Sequence, residues 1–241
     1  MSVRLNPRGP GHAATSHPAS RTDSLAAVIF DLDGVLVDSL PVMREAFGVA
    51  YAEVVGNGKA PFDEYCKHLG RYFPNICEIM GLPLAMEGPF VRESYRLAHR
   101  VPLYPGIRDM LQALAYRGLR LAVATGKTGS RARSLLAGLD VLPLFEQVTG
   151  SDEVDRPKPA PDIVIRTLDV LGVAPGQTMM IGDAVIDLLS ARSAGVAAVA
   201  ALWGQTDEPA LLAAQPDAVL REPNDVLALC TSFGPVKGSV Q

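Results

Sequence analysis

Short apolar runs recur along this chain with helix-like stretches between them, and that alternation leaves few folds open. The runs are Leu25–Asp31, Leu119–Thr125, Thr178–Gly182, Val196–Leu202 and, more weakly, Asp217–Leu220. Each is too short for a stable helix and nearly unbroken in apolarity, so each reads as a strand covered on both faces. Phe145–Thr149 is a further candidate, for an outer strand. Helical spacing fills the intervals at Ile107–Tyr116, Ser130–Leu139, Pro161–Leu171 and Asp187–Ala194; Gly118, Gly172 and Gly195 supply stop signals after the first, third and fourth. Strands alternating with helices predict an α/β fold: a Rossmann-like parallel sheet with helices on both faces.

Residues 40–100 break the alternation. Their apolar residues follow helical spacing, in the sets Val42, Ala46, Val49 and Ala50, then Tyr65, Leu69 and Phe73, then Phe90, Tyr95 and Leu97. Pro61, Pro74, Pro83 and Pro89 divide the stretch into short helices. The expected organisation is an α/β core of residues 24–39 and 104–230, with an all-helical cap of residues 40–103 inserted after the first strand. Residues 1–23, rich in Pro and Gly, and residues 231–241 read as disordered tails.

Composition narrows the function classes. With 22 basic and 26 acidic residues among 241, the net charge of −4 gives no general basic field for nucleic acid. Cys66, Cys77 and Cys230 have no CxxC spacing, which argues against a zinc site and for a reducing, cytoplasmic setting. No apolar run is long enough to span a bilayer.

The chemistry gathers at the ends of the predicted strands, where open parallel sheets bind their ligands. Asp31-Leu32-Asp33-Gly34 ends the first, and alternation points Asp31 and Asp33 the same way. Thr125-Gly126-Lys127 ends the second. Lys158 lies between Pro157 and Pro159, and Gly182-Asp183-Ala184-Val185-Ile186-Asp187 ends the strand that starts at Thr178. Several carboxylates, an ammonium, a hydroxyl and turn amides on one rim suit phosphoryl transfer. The carboxylates would hold Mg²⁺, the ion would screen the phosphate from an anionic nucleophile, and Lys158 and Thr125 would bind phosphoryl oxygens. Lys127 reads as a solvated loop residue rather than a binding one. Lys67, His68 and Arg71 share one helical face, read first as solvated; Arg71 is the one assigned to substrate. Tyr72 and Phe73 read as core.

These four motifs, in this order, resemble the haloacid dehalogenase superfamily. The resemblance implies Asp31 as nucleophile and Asp33 as general acid–base. It implies Thr125, Gly126 and Lys158 around the phosphoryl oxygens. Asp31, the Asp33 backbone carbonyl and Asp183 would be Mg²⁺ ligands, and Asp187 would orient them from behind or bind through water. The second aspartate, Asp33, favours phosphate esters over carbon–halogen bonds. The helical insertion is similar to that of the phosphoglycolate phosphatase and β-phosphoglucomutase branch. The expected substrate is a small phosphorylated metabolite. The cap text of residues 60–73 resembles phosphatases associated with 3-amino-5-hydroxybenzoate biosynthesis, which would place the chain in antibiotic production. A phosphosugar mutase and a non-catalytic pathway partner are the rival readings.

Overall fold

A computed structural model describes residues 24–56, 58–204 and 206–232; the expected tail of residues 1–23 lies outside them. The strands are β1 (Ala27–Phe30), β2 (Arg120–Thr125), β3 (Gln147–Gly150), β4 (Thr178–Gly182), β5 (Ala197–Ala201) and β6 (Ala218–Leu220). Helices of the insertion are α1 (Leu40–Val54), α2 (Phe62–Cys66), α3 (Phe73–Met80) and α4 (Glu87–Arg96). The remaining helices are α5 (Ile107–Tyr116), α6 (Gly129–Gly138), α7 (Asp162–Leu171), α8 (Val185–Ser193), α9 (Glu208–Ala213) and α10 (Asp225–Ser232). Helix α10 runs into the segment expected as a tail from residue 231, and the rest of that segment lies outside the described residues. No described helix is long and apolar enough to cross a membrane.

All six strands are parallel, in the order β3-β2-β1-β4-β5-β6. Every residue of β1 is buried, because alternate side chains serve two separate cores. Val28 and Phe30 pack with Leu111 of α5 and Leu136 of α6 on one face. Ala27 and Ile29 pack with Ile163 of α7 and Leu188 of α8 on the other. A strand buried on both faces needs no polar alternation, which is why the apolar runs are unbroken. Chain direction across the sheet reverses between β1 and β4, and such a switch point opens a crevice beyond the strand ends.

The insertion has its own core, centred on Phe47, Phe62, Tyr65, Phe73 and Phe90. Phe73 and Phe90 stack with ring centroids 4.0 Å apart. Entry and exit run side by side: Val37 pairs with Leu103, Asp38 N donates to Pro102 O at 3.0 Å, and Tyr104 N donates to Leu36 O at 3.0 Å. The sequence expectation differs from the structure at one stretch. Tyr65, Leu69 and Phe73 do not share a helix, since α2 stops at Cys66 and Gly70 sits at φ +83°. Residues 67–72 instead turn back over the end of β2.

Candidate active site

The crevice at the β1/β4 switch point collects the charged residues. Backbone pairing carries β1 one residue beyond the strand, as Asp31 N donates to Ile181 O at 2.9 Å. Asp31 is therefore fixed next to the end of β4, and only 1% of it is exposed. Gly34 turns the chain at φ +82°, and a Cβ there would lie 1.9 Å from Asp183 Oδ2. Only glycine permits both that conformation and that approach. Trp203 Nε1 donates to Val35 O at 2.9 Å and pins the turn from the β5 side.

Lys158 is the hinge of the charge arrangement. Its buried ammonium donates to Asp31 Oδ1 at 2.8 Å, Asp187 Oδ1 at 2.6 Å and Ala124 O at 3.2 Å, filling all three donors. Burial opposes its charge, but Asp187 and Asp31 overcome that and raise its pKa, so it stays protonated. Asp187 also accepts from Ala184 N at 3.0 Å, while Ala184, not Asp183, occupies the cap position of α8. Asp183 is thus freed from capping and faces the crevice, where Asp31, Asp183 and Asp187 offer carboxylate oxygens within 4.8 Å of one another.

That cluster has more negative charge than Lys158 neutralises. Burial pushes the Asp31 carboxyl up to about 7, against the pull of Lys158 and with the repulsion of Asp187 and Asp33 added. Burial likewise raises Asp183 well above the ordinary carboxylate range, and Asp31 and Asp187 add to the shift. An all-oxygen set of crowded, dry carboxylates is the donor chemistry of a hard divalent cation. Asp31 and Asp183 fit that role; Asp187 lies in the cluster with each of its oxygens already accepting a hydrogen bond.

The Asp33 carboxylate stands apart from the cluster. Lys127 Nζ donates to both its oxygens at 2.5 Å, and the Ser39 hydroxyl donates to Oδ1. Burial works against the anion, yet Lys127, Ser39 and the nearby Arg131 hold its pKa below the usual value. Lys127 is therefore not the solvated loop residue expected from sequence. Its side chain is 11% exposed, because the turn after β2 aims it inward. Thr125 is buried beside it, and its hydroxyl accepts from Lys127 N at 3.2 Å.

The insertion closes the site from above. Asp31, Asp33, Thr125, Gly126, Lys127 and Arg71 line one cavity together with Tyr65, Phe73 and Phe90. Arg71 reaches that cavity from a turn, not from the helical face expected for it. Lys67 and His68 point elsewhere, to Glu64 at 2.7 and 3.6 Å. Phe73 is core, as expected, and Tyr72 is half-buried. Ser39 and Arg131 were not legible as site residues: each is a common residue type lying outside the strand-end motifs.

The profile of the haloacid dehalogenase-like hydrolases matches residues 28–201. A phosphoglycolate phosphatase from Rhodospirillum rubrum is 36% identical over 200 residues, covering 76% of this chain and 82% of that protein. The solved structure of a haloacid dehalogenase-like hydrolase from Streptococcus pneumoniae superposes with a TM-score of 0.72 at 28% identity, covering 85% of this chain and 98% of that one. A candidate β-phosphoglucomutase from Thermotoga maritima gives 0.67 at 26% identity, covering 86% and 99%.

Proposed function

The chain belongs to the haloacid dehalogenase-like hydrolases and is a phosphatase of that family, and we propose that it hydrolyses a small phosphate monoester through an aspartyl phosphate at Asp31 with Mg²⁺ bound. One observation carries this reading. A buried Asp31, steadied by Lys158, meets the Asp183 carboxylate at the sheet's switch point, beneath a helical lid.

Mg²⁺, held by Asp31 and Asp183, would screen the phosphate's charge and stabilise charge in the transition state. The rest is done by the chain. An Asp31 carboxylate oxygen attacks phosphorus, a new O–P bond forms and the bond to the leaving oxygen breaks. Asp33 gives that oxygen a proton. A water then loses a proton to Asp33 and attacks phosphorus, and the Asp31–phosphorus bond breaks to release phosphate. Lys158 keeps Asp31 oriented, and Thr125 with the Gly126 amide receives phosphoryl oxygens. Asp33 is held here as the anion suited to the water step. A phosphate dianion arriving beside it competes for Lys127 and adds negative charge, and both raise its proton affinity for the first step.

Relatives named as phosphoglycolate phosphatases support a short phosphorylated carboxylic acid as substrate. The cap stretch 60–73 adds an aminoshikimate-type phosphate to the substrates worth assaying. The test is phosphate release from 4-nitrophenyl phosphate. Activity should need Mg²⁺, disappear with EDTA, and fall at least ~10³-fold in Asp31→Asn. Substantial Asp31→Asn activity would remove the nucleophile assignment. A hexose 1-phosphate converted to its 6-phosphate without free phosphate would mark a mutase instead.

A further inference from the structure

Five charged residues are buried among those described: Asp31, Glu93, Arg131, Lys158 and Asp187. Four of them have ion-pair partners. Asp31 and Asp187 share Lys158, and Glu93 pairs with Arg96 at 2.7 Å. Arg131 alone, 7% exposed, makes no hydrogen bond or ion pair with any described residue. It lies over the ring of Phe90, 5.3 Å from centroid to guanidinium carbon, and feels the Asp33 charge without bonding to it. The ring contact steadies the plane of the group and leaves its N–H donors without an acceptor among the described residues, though not sealed from solvent. Arg131 lies in the first turn of α6, whose N-terminal end is met by Asp152, accepting from Gly129 N at 2.7 Å.

A guanidinium that feels a carboxylate but bonds to none keeps its fork of donors for an acceptor from outside the chain. Arg131 lines the same cavity as Asp31, Asp33, Thr125, Phe73 and Phe90. Lys158 is already committed to Asp31 and Asp187, and Lys127 to Asp33. We propose that Arg131 selects the substrate by receiving a second anionic group, a carboxylate on the leaving-group side of a short phosphate monoester. The inference rests on the phosphatase reading above and names its substrate class. A planar five-donor fork matches a carboxylate in two parallel hydrogen bonds, whereas a neutral hydroxyl would leave the buried charge unanswered.

The test compares kcat/KM for phosphoglycolate with that for 2-hydroxyethyl phosphate, which carries an alcohol in place of the carboxylate. The wild-type protein should prefer the acid. Arg131→Gln should lower that preference by about 100-fold, the worth of two charge-assisted hydrogen bonds, chiefly through KM. Arg131→Lys, which keeps the charge and loses the fork, should fall between. Arg131→Gln should remain folded, with its Tm close to wild type without ligand, since Arg131 makes no hydrogen bond or ion pair with a described residue. An unchanged preference ratio in a folded Arg131→Gln, or no preference in wild type, would overturn the proposal and leave the phosphatase reading standing. Wild type inactive on both compounds but active on 4-nitrophenyl phosphate with Mg²⁺ would overturn the proposal alone; inactivity on all three would remove the phosphatase mechanism as well.

Discussion

A carboxylate that attacks phosphorus must be dry, aimed and anionic, and burial alone would make it a neutral acid. At Asp31 the conflict is visible: its carboxyl is pushed up to about 7 even with Lys158 on it, and Asp183 is raised with it. A divalent cation resolves the conflict by adding the missing positive charge. Stability then depends on pH in a defined direction. Without metal, the folded state holds protons on these two acids that the unfolded chain releases near the ordinary carboxylate value of 3.8. Unfolding therefore releases protons, and the stability contribution falls as pH rises, from about 4 to about 7 for Asp31 and in the same direction for Asp183. In EDTA, Asp183→Asn should melt above wild type at pH 8, with the gap narrowing towards pH 4. Mg²⁺ should raise the wild-type Tm at pH 8, by an amount corresponding to about 2.7 kcal/mol at a hundred times Kd, and leave Asp183→Asn nearly unmoved. Thermal melts over this pH range check it, and a Mg²⁺-independent wild-type Tm at pH 8 would contradict it.

Elements decide which of these residues meet. The strand-end motifs of β1, β2 and β4 were legible because each sits where an apolar run stops, and a parallel sheet brings such ends together. The lid was legible as helical but not in detail. Spacing alone carries a helix through Tyr65, Leu69 and Phe73, whereas the chain leaves α2 at Cys66 and folds residues 67–72 onto β2's end. The reason is a contact no local pattern encodes: a Cβ on Gly126 would lie 2.3 Å from Gly70 O and 2.8 Å from Arg71 O. Lys127 was misread for the same cause, since burial of a loop lysine depends on what covers the loop. Gly126→Ala must push the lid's turn away from the core. It should lower kcat/KM by at least ~10-fold, the order of loss expected when positioning is disturbed by about an ångström, while far-ultraviolet circular dichroism stays that of the folded protein. Unaltered kinetics in that variant would show that the turn need not seat on Gly126 during turnover.

At the scale of the whole molecule, the sheet order puts the proposed reaction where β1 and β4 part, and the lid inserted after β1 covers that place and the end of β2. This architecture was readable from the chain because unbroken apolar strands and glycine-stopped helices agree with one another, and because one helical stretch interrupts them only once. The charge balance inside the crevice was less readable. Arg131 lies on a helix of the core, and its isolation is defined only once the lid's Phe90 lies over it. The account rests on a covalent bond between Asp31 and phosphorus, which can be trapped directly. A single turnover with Mg²⁺ and phosphoglycolate is quenched in acid, reduced with borohydride and read by peptide mass spectrometry. Homoserine at position 31, dependent on substrate and Mg²⁺, is the predicted result. Rapid phosphate release with Asp31 recovered unmodified at every quench time, or reduction at a different aspartate, would contradict it.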